Sequence, residues 1–209
     1  MARLKLQAPL LDVLEQEALL PFNDDQRKVV SAFKSGTNYW FQGQPTEALR
    51  VAVVAAALHK LKEPLDDVAR LLILVPRNEL AEEYLALFDR LGKHAQLRVW
   101  LATETGKLQK QKDQIYFGAD VVIATPSRLN DLLNIEGFNS AGLLTLLLDQ
   151  ANELFKVGSV SFVKRISDSV PLKQRLVISP EMRAIENYME EFAFPFSEEV
   201  LTDEETPLK

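Results

Sequence analysis

Side chains able to do chemistry are few and scattered in this chain. There is no cysteine among its 209 residues, so disulfides and thiolate metal sites are excluded. The two histidines, His59 and His94, are far apart and have no partner at metal-ligand spacing; they read as helix-end residues, and no metal site is assigned. Ser179 has no histidine in any motif that resembles a nucleophile elbow. The stretch Gly106-Lys-Leu-Gln-Lys-Gln-Lys-Asp113 holds a basic cluster. On a helix Lys107 and Lys110 share a face while Lys112 turns away, which favours a solvated stretch over a nucleic-acid patch. Asp149 closes the most apolar run, Leu143–Leu148, and with Asp120 or Glu181 it would make a metal pair if the fold joined them. Trp40 and Trp100 both fall in strand-like runs and read as core.

The elements that must position these groups alternate between apolar runs and helical patterns. That order predicts an α/β fold, a mostly parallel sheet between two helical layers. Strands are expected at 38–41, 71–75, 97–101, 120–124, 143–148 and 175–179. The run at 143–148 is continuously apolar, as a strand buried on both faces requires. Helices are expected at 10–20, 47–61, 78–91, 126–134, 159–168 and 181–192. A further helix opens at Asn23, with Gln26 completing a capping box, and stops at Gly36. Thr46 caps the helix from Glu47, which is apolar almost all round and so central. Thr125 precedes Pro126, a favoured first helical residue. Residues 1–192 are read as one domain and 193–209 as an acidic, flexible tail.

Four short segments, each just after an expected strand or at its end, together with Gln26 ahead of the first strand, resemble the DEAD-box RNA helicase family, specifically its N-terminal RecA-like domain. Gln26 stands where the family's adenine-reading glutamine would be. Pro76-Arg-Asn-Glu-Leu-Ala81 is similar to Pro-Thr-Arg-Glu-Leu-Ala, with Asn78 in the family's arginine slot and Arg77 one place early. Thr125-Pro-Ser-Arg128 looks like Thr-Pro-Gly-Arg, Asp149-Gln-Ala-Asn152 like Asp-Glu-Ala-Asp, and Ser179-Pro-Glu181 like Ser-Ala-Thr. The resemblance covers about residues 10–192 and implies a RecA-like, P-loop NTPase-type three-layer α/β/α fold. It also implies RNA backbone contacts at Arg77, Thr125 and Arg128, and leaves Gln26, Thr46 and Asp149 as the positions for nucleotide contact.

The departures from that pattern concern catalysis. A phosphate loop needs glycines, a lysine on the β/γ-phosphates and a Ser/Thr hydroxyl on magnesium. The matching stretch is Gly43-Gln-Pro-Thr-Glu-Ala-Leu-Arg50, with Leu49 in the lysine position and Arg50 in the hydroxyl position. Pro45 removes a backbone donor, and Glu47 puts a negative charge where a phosphate would sit. Gln150 replaces the glutamate that would polarise the attacking water, and Asn152 replaces the second aspartate. These losses predict no ATPase activity and no bound cofactor. The resemblance also implies that a second RecA-like domain, needed for unwinding, is missing from this chain.

The net charge is −6, but seven of the 30 acids lie in residues 190–209 against one base. The remainder balances at 23 acids and 23 bases, without the broad positive field of a generic nucleic-acid binder. No run is long enough to span a bilayer, so a cytoplasmic, membrane-free chain is expected. Three functions follow in order. The first is a catalytically inactive binding or regulatory module that engages a protein partner or forms a homodimer. The second is a passive RNA-binding domain, and the third is residual ATP binding as half of a two-chain helicase.

Overall fold

The computed structural model describes residues 5–65, 68–156, 160–168, 174–181 and 196–202. Seven parallel strands are β1 (Tyr39–Gln42), β2 (Leu71–Leu74), β3 (Val99–Ala102), β4 (Val121–Ala124), β5 (Thr145–Asp149), β6 (Gln174–Ser179) and β7 (Ser197–Val200). They lie in the order β3-β4-β2-β5-β6-β1-β7. The helices are α1 (Ala8–Gln16), α2 (Asp24–Ser35), α3 (Glu47–Leu61), α4 (Asn78–Leu91), α5 (Leu108–Tyr116), α6 (Pro126–Asn134), α7 (Ala151–Leu154) and α8 (Val160–Asp168).

Strand alternation divides the interior in two. Phe41, Ile73, Val121, Ile123, Leu147 and Ile178 point to the face covered by α1–α4. Trp40, Leu72, Leu74, Val122, Leu148 and Val177 point to the other face, with Ile115, Leu129 and Val163 from α5, α6 and α8. The inner strands β2, β4, β5 and β6 are buried along their whole length, which is why they read as unbroken apolar runs. Helix α3 follows the same logic, with 11 buried residues on every side.

The expected capping box is present: Asn23 Oδ1 accepts from the Gln26 amide at 2.8 Å, and Gln26 Oε1 accepts from the Asn23 amide at 2.9 Å. Several features differ from the sequence reading. Strands β1, β3 and β5 sit one to two residues later than expected, and α1 begins two residues earlier and ends four earlier. Helices α5 and α7 occupy stretches where no element was expected. Strand β7 forms inside the stretch read as a flexible tail. It lies parallel to β1, with the Ser197 amide on Asn38 O at 3.0 Å and the Leu201 amide on Gln42 O at 2.8 Å. Asp25 of α2 clamps the end of this strand by accepting from the Thr202 amide at 2.7 Å and its hydroxyl at 3.1 Å. Apart from Glu181, the helix expected at 181–192 lies outside the described residues.

At the N-terminal ends of the strands, Asp120 binds the sheet together. It accepts from Arg70 Nη2 at 2.7 Å, Arg98 Nε at 3.0 Å, the Arg98 amide at 2.9 Å and the Leu65 amide at 3.1 Å. Burial pushes its carboxyl upward, but the bonds from Arg98, Arg70 and Leu65 outweigh that and hold it below the ordinary value.

Candidate nucleotide and nucleic-acid face

The C-terminal ends of β1, β2, β4, β5 and β6 gather most of the residues singled out above, where ligands bind in open parallel sheets. Asp149 ends β5 and is fully buried. It is not beside Asp120, which precedes β4 at the opposite end of the strands, so that metal pair does not form. Asp149 Oδ2 instead accepts from Arg50 Nε at 3.2 Å and from the Tyr84 hydroxyl at 2.9 Å. Arg50 is anchored further on Glu83 of α4 at 3.1 Å and on Pro45 O at 2.8 Å. Asp149 Oδ1 has no hydrogen-bond partner among the described residues.

These contacts fix the electrostatics. Burial raises the Asp149 carboxyl above its ordinary value, and Arg50 and Tyr84 only partly oppose the rise. Burial and the neighbouring Asp149 charge push the Tyr84 phenol well above its usual value, so it stays a donor. The loop after β1 thus carries its own cation: a guanidinium lies on the carboxylate that the family resemblance would give to magnesium.

The other residues assigned to nucleotide contact are also engaged. Gln26 is buried, its Oε1 in the capping box and its Nε2 donating to Ala48 O at 2.9 Å. Thr46 caps α3, its hydroxyl oxygen accepting from the Leu49 amide at 3.3 Å. Gly43 is needed for a reason unrelated to phosphate: a Cβ there would stand 2.5 Å from Leu201 Cβ, at the end of β7.

The three residues of the RNA assignment do not form one open strip. Arg77 is partly exposed but reaches across to Gln150 Oε1 at 2.8 Å and Glu153 Oε2 at 3.2 Å. The Thr125 hydroxyl lies on both carboxylate oxygens of Glu104, at 2.9 and 2.8 Å. Arg128 is buried and donates to Gly106 O at 2.7 Å and Gln111 Oε1 at 2.8 Å. Glu104 therefore sets a negative charge at the start of α6, where the helix favours an anion. Ser179 is buried, its hydroxyl on Glu181 O at 3.0 Å. Of the tryptophans, Trp40 is core as expected, whereas Trp100 is only half-buried. His59 lies in the last turn of α3 and His94 just beyond α4, matching the helix-end reading. Among the described residues no group of three or more His, Asp or Glu side chains could hold a metal ion.

Tyr84, Glu83, Glu104 and Gln111 were not singled out in the sequence. Tyr84 fits the apolar stripe of α4, and nothing local marks its hydroxyl as a partner for Asp149. Glu104 and Gln111 gain meaning only when the α5 region folds against α6.

Residues 23–187 match the DEAD/DEAH box helicase family. The chain belongs to that family. Among curated DEAD-box relatives, it is 26% identical over 180 residues to the DEAD-box ATP-dependent RNA helicase CshA of Streptococcus pneumoniae, covering 86% of this chain and 34% of that protein. It is 32% identical over 135 residues to the putative DEAD-box ATP-dependent RNA helicase 29 of Arabidopsis thaliana, covering 64% of this chain and 16% of that one. In fold it is similar to a DEAD box protein from Methanococcus jannaschii, with TM-score 0.87, 21% identity, and coverage of 95% of this chain and 55% of that chain. A hypothetical ATP-dependent RNA helicase from Sulfolobus tokodaii gives TM-score 0.83 at 18% identity, covering 94% and 57%. The DEAD-box chain described here thus spans about a third or less of these two curated relatives and just over half of the solved ones.

Proposed function

We propose that this DEAD-box domain does not turn over ATP and serves as a binding module, engaging a protein partner or a second copy of itself. The observation that carries the reading is the Arg50 guanidinium on Asp149 Oδ2. A magnesium–triphosphate would have to displace a buried, charge-assisted contact that Glu83 and Pro45 O also hold in place. Leu49 offers no cation for the phosphates, and Glu47 opposes their charge at the start of α3. The residues present therefore fit a magnesium nucleotide poorly.

The passive RNA-binding reading has less support, because Thr125 and Arg128 already have partners within the chain. No helix among the described residues is long and apolar enough to cross a membrane. A cytoplasmic location, suggested by the absence of cysteine, belongs to the same proposal. The test is thermal unfolding with millimolar ATP and magnesium, alongside single-turnover hydrolysis. No ligand-dependent rise in Tm and no phosphate release are expected; a saturable rise would overturn the proposal.

A further inference from the structure

At the N-terminal ends of β5 and β6, far from Asp149, one amine stands apart from every other lysine described. Lys60, in the last turn of α3, donates through Nζ to Gln174 Oε1 at 2.7 Å and to Thr145 Oγ1 at 3.1 Å. Both acceptors are uncharged and buried, Thr145 at 2% exposure and Gln174 at 0%. Gln174 is fixed in turn, because its Nε2 donates to Ala32 O at 2.7 Å and to Thr37 O at 2.8 Å. The Phe33 ring adds an apolar wall, its centroid 6.0 Å from Nζ. Lys28 and Lys164 have carboxylate partners in Asp25 and Asp168, whereas among the described residues no Asp or Glu pairs with Lys60. The charged groups nearby on α2 and just after α3, Lys34 and Lys62, are cations, and both depress the adjacent His59.

This setting suits a neutral amine better than an ammonium. An ammonium has three hydrogens to place and no lone pair, and it needs water or an acid to balance its charge. A neutral amine has two hydrogens, which the two acceptors take, and its lone pair is left open. The carbonyl end of α3 favours a cation, but burial outweighs it and holds the Lys60 amine below the ordinary lysine value. The residue is only half-buried, so the amine lies near the surface and not in the sealed core. A desolvated lysine without a counter-ion is the form in which this side chain acts as a nucleophile.

We propose that Lys60, cradled by Thr145 and Gln174, is a modification site that takes an acyl group from small acyl thioesters. The Nζ lone pair attacks the thioester carbonyl, a C–N bond forms and the C–S bond breaks. The amine proton passes to the departing thiolate, giving an amide and a free thiol. The amide keeps a single N–H, so acylation takes the donor from one of the two acceptors that join α3 to β5 and β6. The test incubates the full wild-type chain with the acetyl thioester of N-acetylcysteamine over a range of pH and follows each lysine by peptide mass mapping. At neutral pH Lys60 is expected to acetylate several-fold faster than Lys93 and Lys110, which are exposed. Its rate should also level off at a lower pH than theirs, which accessibility alone does not produce. A Lys60 rate no greater than those of Lys93 and Lys110, or a faster one with the same pH profile as theirs, would overturn the assignment.

Discussion

Two aspartates sit at opposite ends of the same sheet, both wholly buried and both paired with arginine, yet they are built differently. Asp120 has both carboxylate oxygens bonded, to two guanidinium groups and two backbone amides, and is held below the ordinary carboxyl value. Asp149 has one oxygen engaged and one without a partner, and is raised. A structural staple satisfies every lone pair it buries. Asp149 keeps its burial with only part of its hydrogen-bonding capacity met, by Arg50 from the start of α3 and Tyr84 from α4. The comparison thus separates a fully satisfied buried carboxylate from a partly satisfied one.

The sharpest way to break it is to neutralise each in turn. Asp120→Asn should cost about 3–5 kcal/mol in denaturant unfolding, because Arg70 is left buried without its counter-charge. Asp149→Asn should cost only about 1 kcal/mol, since Arg50 keeps Glu83 and Pro45 O and the lost carboxylate was disfavoured already. Equal costs would remove the distinction.

The pH dependence should have opposite signs. Asp120 binds its proton less readily when folded, so its stabilisation is complete above the unfolded carboxyl value and is lost as pH falls through the lower folded one. Asp149 binds its proton more readily when folded. Its own contribution therefore grows as pH falls through the raised folded value and shrinks above it. Stability curves of the wild type and the two asparagine variants should show the Asp120 gap closing only as pH falls below the ordinary carboxyl value, and the Asp149 gap moving the other way as pH falls from neutral toward that value.

An effect between those of the two aspartates is expected at the loop beside Asp149. Gly43→Ala drives a methyl into Leu201 and should cost about 1–3 kcal/mol, with faster hydrogen exchange at the Leu201 amide. In a Leu201→Gly background, itself destabilised by loss of a buried side chain, Gly43→Ala should cost much less than in the wild type, which a phosphate-binding role for Gly43 does not predict. The smallest change is at Glu104→Gln, exposed and paired with a hydroxyl; it should shift stability by less than about 1 kcal/mol. Its informative readout is single-stranded RNA affinity at low salt, which should rise if the Glu104 charge is what closes the Thr125 position.

Most of the architecture can be read locally. Continuous apolar runs at 71–74 and 145–148 mark inner strands, and the Asn23–Gln26 box and the Thr46 and Pro126 helix starts appear as expected. So does the family, because its landmarks fall at strand ends in a fixed order. Strand β7 cannot be read this way: its acids give no apolar alternation. It forms because β1 offers an open edge and because Asp25 and Lys28, far back in the chain, hold Thr202 and Val200 O.

The sequence alone determines that Leu49 and Arg50 stand at the start of α3, since that is a matter of which atoms exist. Only the tertiary structure decides what they touch. Arg50 and Asp149 lie 99 positions apart, and Tyr84 reads as one more core residue until α4 packs over the end of β5. Local patterns record burial and backbone preference, whereas a buried charge finds its partner only when distant segments are brought within hydrogen-bonding distance.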